Sequence, residues 1–318
     1  MGNKATLAKV SRPRLFGVVA RERLFALLDH NRGRPLIWIS GPPGAGKTTL
    51  IASYLEARPC PVIWYQIDPG DADPAALFVY LSRAACNVLD RDEPSLPRFV
   101  AEHYADLTGF ARLFFRAFFA QLPAGLVLVL DNYQDVAESA PPHDIVSQAV
   151  AEVPPGNWIV AVSLAEVPRQ FVKHVADNAV ARIGADSLQL NLDEVRAVCR
   201  EKRVTDEWLL KALHQQSAGW AAGITLMLER RGHSDGASRE LPTDTLDSVF
   251  DYFASLVFDR EAETARHILL TIALLPRVTP ALAVELSRCA DTVAPGEARR
   301  PPGQRVISMA QRRRGSRH

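Results

Sequence analysis

One octapeptide limits what this chain can fold into. Gly41-Pro42-Pro43-Gly44-Ala45-Gly46-Lys47-Thr48 matches the pattern GxxxxGK[ST] at every fixed position. Leu36-Ile37-Trp38-Ile39, an apolar run between Pro35 and Gly41, reads as a strand buried on both faces, and 48–56 reads as the helix leaving the turn. A loop of this kind converges its backbone amides on an anion, and glycine is needed where a side chain would block the approach. Pro42 and Pro43 have no amide hydrogen, so the donors are expected from Gly44 to Thr49, helped by the positive end of the helix. Lys47 is expected to bridge the β- and γ-phosphates and the Thr48 hydroxyl to bind Mg²⁺. The expected phosphate-binding set is Gly41, Gly44, Ala45, Gly46, Lys47, Thr48 and Thr49.

Further apolar runs follow at regular distances. Segments 60–67, 126–130 and 158–162 read as strands, and Trp38, Trp64 and Trp158 on them are expected in the core. Asp73-Pro74 is a helix start, with Asp as N-cap and Pro at the first helical position, and Phe78, Leu81 and Ala85 continue its apolar face. A second helix, aromatic on one side, is expected over 110–122. Strands alternating with helices predict an α/β fold with a parallel, doubly wound sheet. Beyond about residue 190 the strand signals stop, and 192–199, 206–214, 218–229, 247–257 and 262–274 carry helical patterns. Gly232-His233-Ser234-Asp235-Gly236 reads as a linker between helical pieces.

A loop that holds a triphosphate needs a carboxylate on a neighbouring strand end to help hold the metal. Asp131, directly after the apolar run 126–130, is the candidate metal ligand and, with Lys47, the candidate catalytic group. The strand 60–67 lies between the phosphate loop and Asp131, an arrangement that points to an additional-strand NTPase. Such enzymes use a second acidic residue after the metal ligand to activate water. The next residue here is Asn132, and an amide cannot serve as a general base. Gln134 is a candidate to orient water, with a solvent-facing loop glutamine as the plainer reading. Nucleotide binding is therefore the firmer expectation, and hydrolysis is expected to be slow.

Composition narrows the function classes. The 318 residues are 47% hydrophobic and 23% charged, enough to bury a sizeable core and too apolar for disorder over most of the length. Lys and Arg total 37 against 36 Asp and Glu, so nothing in the balance of +1 demands a nucleic-acid or membrane partner. No window approaches ~18 consecutive apolar residues, so no membrane partner is expected, and a reducing cytoplasm is the expected location. Cys60, Cys86, Cys199 and Cys289 are scattered without a CxxC pair, which argues against a disulfide framework or a structural zinc site. The eight histidines show no ligand spacing. After Glu297 the chain is arginine-rich with no acidic residue, and 291–318 is expected to be a disordered basic tail.

Several segments together resemble the STAND class of signal-transduction ATPases, in the branch of MalT-like and LuxR-type bacterial regulators. The stretch Leu15-Phe16-Gly17-Val18-Val19-Ala20-Arg21-Glu22-Arg23-Leu24 resembles that family's opening segment, which packs near adenine. The resemblance thus implies nucleotide contacts from Val19 and Arg21. Segment 64–74 is similar to the family's second strand and following loop, and Leu128-Val129-Leu130-Asp131-Asn132-Tyr133-Gln134 to its Walker B line. Ser217-Ala218-Gly219-Trp220-Ala221-Ala222-Gly223 resembles the glycine-tryptophan motif of its helical domain, and 250–276 the start of its winged helix.

The likeness covers roughly residues 10–290. It implies a P-loop nucleotide-binding domain over 1–187, a helical domain over 188–235 and a partial winged-helix subdomain over 236–290. It further implies ATP or ADP with Mg²⁺ as ligands and a two-state regulatory switch, with a partner protein or a second copy as possible company. Direct DNA binding by this chain is not expected, since no complete helix-turn-helix is recognisable.

Three departures stand out. Asn132 replaces a second acidic residue that many members carry. Ser163-Leu164-Ala165-Glu166-Val167-Pro168 occupies the place of a serine-arginine sensor motif, where Leu164 cannot contact a phosphate and Arg169 is the substitute candidate. The likeness also fades near Cys289-Ala290, which sets up the expectation of a truncated or frameshifted product, or of a natural short form serving a partner. The expected function is a regulatory switch with slow or absent hydrolysis. The alternatives are an active cycling ATPase and, behind it, a P-loop small-molecule kinase.

Overall fold

Each apolar run in the first half has the length of a strand and is followed by a helix, so the chain returns to the same end of the sheet each time and the strands run parallel. The computed structural model describes residues 8–90, 95–137, 140–231 and Arg266. All of these but Arg266 fall within one compact unit. The predicted helices at 247–257 and 262–274 (Arg266 apart), the winged-helix portion and the basic tail lie outside the described residues.

From the amino end, α1 (Glu22–Asn31) leads into β1 (Leu36–Ser40), and α2 (Lys47–Ala57) into β2 (Val62–Gln66). Next come α3 (Pro74–Leu89), α4 (Leu107–Gln121), β3 (Val127–Asp131), α5 (Pro142–Glu152) and β4 (Trp158–Ser163). After α6 (Val172–Ala176), β5 (Val180–Ile183) and α7 (Ala185–Leu188), the helices α8 (Leu192–Glu201), α9 (Glu207–Ser217) and α10 (Ala221–Arg231) follow. Asp73 caps α3 as its sequence predicts, accepting from the Ala75 amide at 3.0 Å.

The five strands are parallel in the order β2-β3-β4-β1-β5. The strand that separates β1 from β3 is therefore β4, while β2, which lies between them in the chain, takes an edge. The register sets Ser40 opposite Ser163 and Leu130 opposite Ala161. Successive residues face opposite sides. Trp38, Tyr65, Leu128, Leu130 and Ala161 join one core with α3, α4 and α5. Ile37, Ile39, Val129, Val160 and Val162 join a second core that holds α1 and α2. Trp38, Trp64 and Trp158 are all buried. Such a sheet buries both faces, which is why its strands read as continuous apolar runs.

Four elements, β5, α5, α6 and α7, are not predicted from the sequence. β5 is four residues long, with Arg182 exposed and a left-handed Asn178 before it, so it carries little apolar signal. Helix α5 starts at Pro142 without a side-chain cap. The predicted helix 218–229 starts three residues late. Ala218 and Gly219 have φ of 48° and 73°, values that end α9 rather than continue a helix. No described helix is long and apolar enough to cross a membrane.

Candidate nucleotide site

β1 stops at Ser40 because the next residues cannot extend it, two of them being prolines. Gly44 and Gly46 adopt φ of 72° and 81°, the left-handed region that favours glycine, and Gly46 is the N-cap of α2. The loop is pinned at its base, where the Gly41 amide donates to the Ser163 carbonyl on β4 at 3.3 Å. The Ala45 amide, expected among the free donors, makes a 3.3 Å bond to the Pro42 carbonyl inside the loop. Thr49 lies half-buried in the first turn of α2. Lys47 is buried, and its ammonium donates to the carbonyls of Gly41 (2.8 Å) and Pro42 (2.9 Å), folded across the loop.

The two predicted metal ligands come together although 83 residues separate them. Thr48 Oγ1 donates to Asp131 Oδ1 at 2.9 Å, and the Asn132 amide reaches the same oxygen at 3.0 Å. Asp131 is 1% exposed. Burial raises its pKa above the ordinary carboxylate value, against the opposing pull of Thr48, the Asn132 amide and the Lys47 charge. A buried carboxylate beside a hydroxyl at a helix start is an all-oxygen donor pair, the kind that suits Mg²⁺ with waters and phosphate oxygens completing the shell. These residues fit that ion.

The helical segment sits directly on the loop. Trp220 Nε1 donates to the Pro43 carbonyl at 3.0 Å, and the Ala222 amide donates to the Gly44 carbonyl at 3.0 Å. A Cβ on Gly44 would lie 2.6 Å from the Ala222 methyl and 2.9 Å from the Trp220 ring. One on Gly41 would lie 2.9 Å from Leu188. Glycine at position 44 is thus demanded by packing as well as by any anion, whereas at position 41 the Leu188 methyl could give way. The Trp220 turn is held from behind. Gly219 O accepts from the Leu190 amide at 2.7 Å, and the Leu190 carbonyl accepts from His214 Nε2 at 3.1 Å.

Arg21, for which the resemblance implies a nucleotide contact, is held by protein groups. Its guanidinium is buried and donates to the Leu188 and Gln189 carbonyls (both 3.0 Å) and to Glu194 (3.1 Å). It ties the start of α1 to α8, while Val19 is half-buried in the segment before it. Burial disfavours the charged form of Glu194, but Arg21, the Asn191 amide and Arg23 outweigh that and hold its pKa below the usual value.

Gln134 is not a free loop side chain. It is half-buried, and its Oε1 accepts from the Leu164 amide at 3.3 Å, joining the loops after β3 and β4. Arg169 opens a short turn after Pro168. Sequence reading missed the contact of Trp220 with the loop and the bond from Ser40 Oγ to Glu166 (3.0 Å). The glycine pair flanking Trp220 was a usable signal for the first, and no local pattern marks the second.

No protein-family model matches the chain, and no curated protein matches it. Solved structures do. The chain resembles a Signal Transduction ATPase with Numerous Domains (STAND) protein with a tetratricopeptide repeat sensor from Pyrococcus horikoshii. The identity is 16% and the TM-score 0.50, over 97% of this chain and 41% of that one. The fold is that of a P-loop ATPase. The chain spans less than half the length of that STAND protein. The Orc1 protein of Aeropyrum pernix, solved in complex with DNA, matches with 14% identity and a TM-score of 0.44, over 93% of this chain and 84% of that one. The RuvB Holliday junction branch migration motor of Thermotoga maritima matches with 13% identity and a TM-score of 0.40, over 86% and 82%.

Proposed function

We propose that this chain is the ATP/ADP-binding switch module of a STAND-type regulator of the MalT-like or LuxR-type branch, with slow or absent hydrolysis. In this reading 1–187 are the nucleotide-binding domain and 188–235 the helical domain, while the expected winged-helix portion, 236–290, lies outside the described residues apart from Arg266. The observation that carries it is the seating of Trp220 and Ala222 on the Pro43 and Gly44 carbonyls. A loop whose carbonyls hold the helical segment cannot rearrange around phosphates without moving that segment, so loop state and helix docking are coupled.

Gly41, Gly44, Ala45, Gly46, Lys47, Thr48 and Thr49 would hold the phosphates, with Val19 and the Arg21 region walling the base end. Lys47 exchanges its two loop carbonyls for β- and γ-phosphate oxygens. Bound between Thr48, Asp131 and the phosphates, Mg²⁺ would neutralise phosphate charge. Asn132 supports weak turnover, because the position after Asp131 offers no proton acceptor of carboxylate strength. A full regulator would add a sensor, as the Pyrococcus protein has its tetratricopeptide repeats, and an output partner or second copy.

The test is to denature the purified protein and identify released nucleotide by chromatography. ADP is expected. GDP, or no nucleotide from a well-folded preparation that also fails to bind added ATP or ADP, overturns the reading.

A further inference from the structure

Trp64 lies on β2, the edge strand beside β3, and is 2% exposed. Its ring packs in the core that holds α1 and α2 against the sheet. Packing accounts for the ring, but not for the ring nitrogen. Trp64 Nε1 is buried and makes no hydrogen bond. A buried N–H without a partner is costly, and folded chains keep few of them.

The pairing of β2 with β3 shows what that nitrogen faces. Trp64 stands opposite Val129 and Gln66 opposite Asp131, all four within their strands. Trp64 and Asp131 therefore share one face of the sheet, a single diagonal step apart. The face is that of α2, where Thr48 donates to Asp131 and Trp64 joins Val129 in one core. Asp131 feels the indole. Burial raises its pKa, and Trp64 is among the groups, with Thr48, the Asn132 amide and Lys47, that oppose the rise. The N–H is thus within electrostatic reach of the carboxylate but short of bonding geometry. Among the described residues, Thr48 and the Asn132 amide hydrogen-bond this carboxylate, both at Oδ1.

We propose that Trp64 is the positioning residue of the metal site, its indole N–H closing on the Asp131 carboxylate when Mg²⁺ and nucleotide are bound. The inference rests on the nucleotide-binding reading above. A donor from the neighbouring strand fixes the plane of the carboxylate, as the near-ideal octahedral geometry of Mg²⁺ demands of its ligands. Hydrogen bonds to charged acceptors are the stronger kind, and partners behind a metal ligand set both its orientation and the affinity for the ion. Trp158 provides a contrast. Its Nε1 is also buried and without a partner, but it stands opposite Val127, at the far end of β3 from Asp131.

The test uses the full chain with ¹⁵N-labelled tryptophan, in which each of the five tryptophans gives one indole signal. Replacing Trp64 by benzothienylalanine keeps the ring shape with sulfur in place of the N–H, so one signal vanishes and is thereby assigned. Adding Mg²⁺ to ADP-bound wild type should move the Trp64 signal downfield, as a strengthening hydrogen bond does, and leave that of Trp158 in place. The isostere should bind ADP in EDTA as wild type does, while the gain in affinity brought by Mg²⁺ should shrink about tenfold, the low end of the loss when a metal ligand's outer hydrogen-bond partner is removed. A role in packing alone would move neither readout, since ring and volume are kept. A Trp64 signal unmoved by Mg²⁺, or an undiminished Mg²⁺ gain in the isostere, overturns the role of Trp64 and leaves nucleotide binding standing. Trp64→Phe supplies the assignment and the affinity comparison if the isostere does not fold. A wild type that binds no ADP, with or without Mg²⁺, overturns the underlying reading as well.

Discussion

Trp220 Nε1 lies 3.0 Å from the carbonyl oxygen of Pro43, so an indole from the helical half closes directly on the phosphate loop 177 residues earlier. Gly44, beside Pro43, has the Ala222 methyl and the Trp220 ring where its own side chain would stand. Gly44→Ala must therefore accept a left-handed φ and a clash together, at a cost of about 3 kcal/mol. Its thermal midpoint should drop well below wild type. Trp220→Ala alone should also destabilise, yet the double variant should be less damaged than the sum of the two. A double-mutant cycle that gives simple additivity would show that the ring and the loop do not interact.

Loss of the indole should also weaken the link between nucleotide and helical docking. In a thermal-shift titration, Trp220→Phe should bind ADP yet gain less stabilisation from saturating ligand than wild type does. An equal gain would separate the contact from the switch.

Lys47→Ala removes the ammonium that spans the Gly41 and Pro42 carbonyls. Binding of a fluorescent ATP analogue should be abolished, and retained affinity refutes the site. Asp131→Ala should instead weaken binding in Mg²⁺ more than binding in EDTA, because the carboxylate is assigned to the metal rather than to the phosphates. Equal loss under both conditions would remove Asp131 from the metal site.

The buried pair of Arg21 and Glu194 predicts an acid-sensitive fold. Glu194 titrates below its ordinary value in the folded state. Its contribution is therefore complete above the unfolded carboxylate pKa, about 4.3, and is lost as pH falls through the depressed folded value. Arg21→Met strands a buried carboxylate that keeps only Arg23 and the Asn191 amide, and should cost about 3 kcal/mol at neutral pH. Urea melts of wild type and Arg21→Met should converge as the pH is lowered into that acid window. A gap that stays constant from pH 7 to pH 3 would contradict the assignment.

Local chemistry fixed much of this protein in advance. The apolar runs that became β1 to β4, the capped start at Asp73-Pro74 and the glycine-lysine-threonine turn each show in a few adjacent residues, because burial on both faces, capping and positive φ are short-range demands. Tertiary structure decided the rest. The sequence does not say that β4 lies between β1 and β3, or that the Arg21 guanidinium would be taken up by α8 and the residues just before it. Nor does it say that Gly44 yields its space to Trp220, or that Ser40 would hold Glu166. Each of these depends on which distant segments share a contact, and that is set by how whole faces bury together rather than by any pattern a single stretch of chain displays.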